Sequence, residues 1–139
     1  MSRAVPKIIV LILIDQITKL LLAPRDFSFL FFRIRQIANA GLSFGLTFAN
    51  PVSLVIVAGC LLLLAIQFLK NPPRTAVQNW GTILVLAGGI SNILDRLFRG
   101  FVLDFVDVGL GFTFNLADCM IFAGLVALLL PITREAWKK

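Results

Sequence analysis

Histidine is absent from all 139 residues, and charged side chains make up only 14% of the chain. Without an imidazole the commonest general base and the commonest zinc ligand are gone, which argues against Ser-His or Cys-His hydrolases and against zinc proteases. Cysteine is scarce too. Cys60 and Cys119 both lie in apolar runs, so neither a disulfide framework nor a metal knuckle is indicated. No Ser/Gly/Pro-rich linker, low-complexity tract or internal repeat divides the chain, and its length supports one domain, 1–139. The shortage of charge is the most telling lack, since soluble domains run near ~25% charged residues. Here 59% of residues are hydrophobic and the mean hydropathy is +0.97, so the chain belongs in a bilayer. Its net charge of +6 does not point to nucleic acid, because basic membrane proteins carry such an excess in their cytoplasmic ends. Neither a cofactor nor a metal is expected.

A bilayer core of roughly 30 Å needs about 20 mostly apolar residues in helical form. Four stretches qualify: Val5 to Leu22, Val52 to Leu69, Ala76 to Leu97 and Phe114 to Ile132. Asp15 and Lys19 interrupt the first, and no small-residue cleavage site follows it, so it reads as a retained helix rather than a secretory signal. Between the first two helices, Phe31-Phe32-Arg33-Ile34-Arg35-Gln36-Ile37 partly alternates in the period of a strand, with Gly41, Gly45 and Pro51 after it. The expected fold is therefore an all-α membrane protein of four transmembrane helices with a small strand-like, periplasmic or interfacial segment.

Basic residues set the orientation. Arg3, Lys7, Lys70, Arg74, Arg134, Lys138 and Lys139 fall on one side. The opposite ends hold Arg25, Arg33, Arg35, Arg96 and Arg99, matched by Asp26, Asp95, Asp104, Asp107 and Asp118. Both termini are thus expected in the cytoplasm.

With helices alternating in direction, the polar residues converge at one depth. Asp15, Thr18 and Lys19 share a face of the first helix at i, i+3, i+4, and Asn92, Asp95 and Arg96 repeat that spacing in the third. Asn115 and Asp118 share a face of the fourth. Charges in hydrocarbon are costly, so these groups must face one another or a wet cavity, where they mark function. The bland alternative is a set of interhelical ion pairs that only hold the bundle together. Asp104 and Asp118 are candidates to meet across the short connection between the third and fourth helices. Two carboxylates held together cannot both ionise easily, so such a pair can activate water while protonating an amide oxygen. Which member holds the proton is open, because the pair titrates as a unit. Asp107 reads as a solvated loop charge.

Four blocks carry a family resemblance. They are Asp15-Gln16-Ile17-Thr18-Lys19, then Asn39-Ala40-Gly41-Leu42-Ser43-Phe44-Gly45, then Gly88-Gly89-Ile90-Ser91-Asn92-Ile93-Leu94-Asp95-Arg96, and finally Val102-Leu103-Asp104-Phe105 with Phe114-Asn115-Leu116-Ala117-Asp118. In that order and interleaved with four apolar helices, they resemble the signature blocks of lipoprotein signal peptidases. The resemblance implies that Asp104 and Asp118 are the catalytic aspartates. It also implies that Asn39, Gly41, Asn92, Arg96 and Asn115 orient the pair and the substrate backbone, with Asp15, Lys19 and Asp95 supporting the site. The implied reaction is cleavage before a diacylglyceryl-cysteine in prolipoproteins, by a monomer among membrane lipids at the outer leaflet of the bacterial cytoplasmic membrane.

This chain departs from the family in places. Ser43 stands where the family usually has alanine, which raises a rival Ser43/Lys19 dyad in which a desolvated lysine activates serine. The connection from Asp104 to Asp118 is short, as are both ends. Val57-Ala58-Gly59-Cys60 looks like the sequence such enzymes cut, but within a helix and without a basic leader it reads as small-residue helix packing. Outside enzymes, a proton-coupled transporter subunit would also place Asp and Lys inside a membrane. It would need oligomers or inverted repeats, and acids nearer the midplane.

Overall fold

The computed structural model describes residues 4–29, 32–39, 50–72, 75–109 and 111–136. Helix α1 (Ala4–Leu22) leads into the hairpin β1 (Phe27–Phe29) and β2 (Phe32–Asn39). Helices α2 (Asn50–Lys70) and α3 (Ala76–Arg99) follow, then β3 (Val102–Asp107), β4 (Thr113–Phe114) and α4 (Leu116–Ala136).

Helix α3 is the hub, packed by α1, α2 and α4. Thr75 caps its start by accepting a hydrogen bond from the Gln78 amide, and Gly100, with φ 81°, ends it while donating its N–H to the Arg96 carbonyl. Glycines let α4 come close. A Cβ at Gly88 would lie 2.4 Å from the Ala117 carbonyl oxygen, and one at Gly124 would lie 2.6 Å from that of Gly81. On the outward sides of α1, α2 and α4, large apolar residues such as Ile9, Leu13, Ile17, Leu62, Leu63 and Phe122 are exposed, a surface suited to lipid rather than water.

The all-α expectation needs correcting. The four strands form one antiparallel sheet in the order β1-β2-β3-β4, and two of them lie in the connection between α3 and α4. The hairpin between the first two helices is where the strand-like pattern lies, but β3 has Val102 to Phe105 buried on both faces and so shows no alternation to read. Phe114 belongs to β4, so the last helix begins at Leu116, and the third continues past Leu97 to Arg99. Among the described residues, α3 is the one helix that is both long and apolar enough to cross a membrane by itself, while Leu54–Lys70 and Leu116–Leu129 are shorter apolar stretches. Helix α1 carries Lys7, Asp15 and Lys19 within its 19 residues. The small residues Ala58, Gly59 and Cys60 are exposed, and nothing lies within 4 Å of a Cβ built at Gly59, so they do not serve the helix packing expected of them.

Candidate active site

The start of α4 explains the Asn-x-x-Asp spacing. Asn115 Oδ1 accepts the Asp118 amide at 3.0 Å, and Asp118 Oδ2 accepts the Asn115 amide at 3.3 Å. This is a reciprocal cap across the first turn, which fixes the Asp118 carboxylate relative to the Asn115 side chain. The other end of that side chain holds Asp104. Asn115 Nδ2 donates to Asp104 Oδ1 at 2.8 Å, so one buried asparagine bridges the two aspartates.

Asp104 sits in β3 opposite Ile37 of β2, which puts Asn39, two residues along, on its face of the sheet. Asn39 Nδ2 donates to Asp104 Oδ2 at 3.0 Å, and the Thr113 hydroxyl of β4 donates to the same oxygen at 3.1 Å. Asp104 is fully buried, and that burial raises its carboxyl above the usual range although the three hydrogen bonds pull the other way. Asp118 remains partly exposed. Its Oδ1 accepts Asn92 Nδ2 from α3 at 2.9 Å. Asn92 Oδ1 in turn accepts from Lys19 Nζ and Asn115 Nδ2, both at 3.3 Å. Arg96, one turn further along α3, donates Nη1 to the Asn92 carbonyl at 3.2 Å, with Asp118, Asp104 and Asp95 in Coulombic range.

Beneath the pair lies a buried ionic cluster. Lys19 Nζ contacts Asp15 Oδ2 at 2.7 Å and Asp95 Oδ2 at 2.8 Å, with all three side chains fully buried. Asp15 Oδ2 also accepts the Ser91 hydroxyl at 2.6 Å, while its Oδ1 accepts the Ala117 amide at 2.8 Å, where the α4 N-terminus favours an anion. Lys19 therefore spends its donors on two carboxylates and an asparagine, an arrangement unlike the desolvated amine of a serine-lysine dyad. Ser43 and Gly41 lie outside the described residues.

Five residues were read differently or missed. Arg99, read above only as a loop-end charge, lies in the last turn of α3 and pairs its Nη1 with Asp95 Oδ1. Asp107, expected as a solvated charge, ends β3 and accepts Arg35 Nη2 at 2.6 Å; the Gly109 amide and Arg35 hold its carboxyl below the usual range. Thr113 carries no sequence signal, because only the β3–β4 register brings it to Asp104. Gln16 and Ser91, which support Asp95 and Asp15, stand inside quoted blocks and share helical faces with the charged residues there. Among the described residues, no group of three acidic, cysteine or histidine side chains is disposed to hold a metal.

Comparison with known proteins places the chain in a family. The family model described as signal peptidase (SPase) II matches residues 7–134. The lipoprotein signal peptidase of Wigglesworthia glossinidia brevipalpis is 35% identical over 104 residues, covering 70% of this chain and 68% of the relative. That of Clostridium novyi (strain NT) is 30% identical over 137 residues, covering 89% and 93%. A solved structure described as a bacterial membrane enzyme, obtained by the in meso method at 2.3 Å resolution, superposes with a TM-score of 0.86 at 22% identity, over 100% of this chain and 92% of that one.

Proposed function

Because this chain belongs to the signal peptidase II family, a family of bacterial membrane peptidases, we propose that it removes signal peptides from diacylglyceryl-modified prolipoproteins by aspartic catalysis at Asp104 and Asp118. The observation that carries the aspartic reading is the Asn115 bridge, in which the side chain donates to the Asp104 carboxylate and accepts the Asp118 amide while the Asn115 main-chain amide donates to the Asp118 carboxylate. In the reaction the ionised member takes a proton from water as that water attacks the scissile carbonyl. The protonated member donates to the carbonyl oxygen, and the tetrahedral intermediate collapses as the departing amine takes a proton back. Asn39, Thr113, Asn115 and Asn92 supply donors that orient the two carboxylates, and Arg96 is the nearby cation available to the substrate backbone.

The enzyme works as a monomer in the cytoplasmic membrane, crossing it four times with both termini in the cytoplasm and the site near the outer leaflet. Lipid tails of the substrate would lie against the apolar outer ends of the helices. No nucleic acid, metal or cofactor takes part. The test is conversion of a diacylglyceryl-modified proprotein to its shorter form by purified protein in detergent. Wild type should convert it, and Asp104→Asn and Asp118→Asn should each be inactive; near-normal turnover by either would overturn the dyad.

A further inference from the structure

The supporting carboxylates reach past side chains to the main chain. Asp95 Oδ2 accepts the amide of Leu103, the residue before Asp104, at 3.1 Å. Asp15 Oδ1 accepts the amide of Ala117, the residue before Asp118. Lys19 ties these two carboxylates together. Neither peptide can shift without carrying its aspartate, so the separation of the pair is set from below as well as by Asn115.

Arg99 is the outer member of this arrangement. Its Nη1 donates to Asp95 Oδ1 and, at 3.1 Å, to Gln16 Oε1. The Gln16 amide is thereby held with Nε2 toward Asp95 Oδ1 and the Ser91 hydroxyl, each at 3.0 Å. The spacing from Asp95 to Arg99 is i to i+4, with the cation nearer the helix C-terminus, the favourable order. Charge balance matters as much as geometry. Asp15 and Asp95 oppose Lys19 and Arg99 one for one, and without Arg99 the cluster keeps a net negative charge beside the aspartate pair.

Taking Asp104 and Asp118 as the catalytic pair, we infer that Arg99, with Gln16, is a positioning residue that acts through Asp95 on the Leu103 amide and so fixes Asp104. It does not touch the substrate. The charged groups facing the pair are Lys19 from α1, Arg96 from α3, itself in Coulombic range of Asp95, and each aspartate toward the other; β2, β4 and the α4 cap present neutral Asn39, Thr113 and Asn115. Arg99→Met removes one positive charge from behind this set yet leaves Asp95 bonded to Lys19, Gln16 and Leu103.

The experiment is steady-state cleavage of a diacylglyceryl-modified peptide in detergent micelles across pH, with thermal unfolding measured in parallel. Arg99→Met should lower kcat on the order of tenfold with KM unchanged, the scale expected of a small misplacement. Its pH–activity profile should move to higher pH, because losing a nearby positive charge favours protonation of Asp104. Arg99→Lys should restore the profile. An unchanged kcat and profile in Arg99→Met would overturn the inference, as would an activity loss that only tracks the loss of folded protein. Should Arg99→Met fail to fold, Arg99→Gln keeps a donor without the charge, and there a shifted profile supports the inference while an unshifted one overturns it. Asp104→Asn in the same assay separates the two readings. An active Asp104→Asn defeats the dyad and this inference with it, whereas an inactive one beside an unaltered Arg99→Met defeats this inference alone.

Discussion

Every partner of the Asp104 carboxylate is a donor: Asn115 Nδ2, Asn39 Nδ2 and the Thr113 hydroxyl. An amide at this position turns one oxygen into a donor, which Asn39 can meet by flipping and Thr113 by rotating its hydroxyl to accept. Burial holds the acid's neutral form favoured, so ionised Asp104 costs the fold stability that is intact below the ordinary carboxylate range and lost as pH rises through the raised value. Asp104→Asn removes that cost. Its thermal midpoint should equal the wild type's near pH 4 and exceed it near pH 8 while cleavage is lost; a lower midpoint at pH 8 would refute this account. Lys19→Met should do the opposite, leaving Asp15 and Asp95 facing each other without their shared cation at a cost of about 3–5 kcal/mol, readable by unfolding in detergent. These polar and charged residues were legible in the sequence because Asp15, Lys19, Asn92 and Asp95 stand at helical spacing in apolar runs. Arg99 was not, since the helix runs two residues beyond the apolar stretch and carries it back over Asp95.

Among elements, the approach of α3 to α4 decides where Asp118 stands. Gly88 meets the Ala117 carbonyl, and the Ala117 amide is held by Asp15, so the peptide groups on either side of Ala117 are each held. A methyl group at Gly88 would force α4 outward. Gly88→Ala should cost about 1–3 kcal/mol and most of the activity, as overpacking does in a close-packed interface. Gly59→Ala in α2 is the control: its Cβ meets nothing, and alanine favours the helix by up to about 1 kcal/mol, so stability should hold or rise. Equal effects of the two on unfolding and cleavage would show that the close approach is not what locates Asp118. The helices were legible as apolar runs of the right length. Strands β3 and β4 were not, because β3 is buried on both faces and β4 has two residues, yet together they bring Asp104 and Thr113 to the site.

For the whole molecule, the orientation in the membrane is expected from where Lys and Arg are in excess. On the sheet side, Arg33 is paired with Asp26, Arg35 with Asp107 and Arg99 with Asp95, while Arg96 has Asp118, Asp104 and Asp95 around it. At the other end Lys7 stacks on the Trp80 ring at 4.3 Å, a contact that leaves its charge in place, and Lys70 closes α2. The excess of Lys and Arg at that end of the sequence predicts that the Lys7 end faces the cytoplasm. Ser28 of β1 and Asn71 after α2 are exposed at opposite ends, so each can report a side. With Cys60 and Cys119 first replaced by serine, a membrane-impermeant maleimide added to intact spheroplasts should label Ser28→Cys and spare Asn71→Cys until the membrane is opened. The reverse pattern would invert the topology and place the aspartate pair at the cytoplasmic leaflet. Labelling of both from outside would mean that α2 does not cross the membrane. The exposed apolar residues along its length, Val55, Leu62, Leu63 and Leu69, would then need a covering other than lipid.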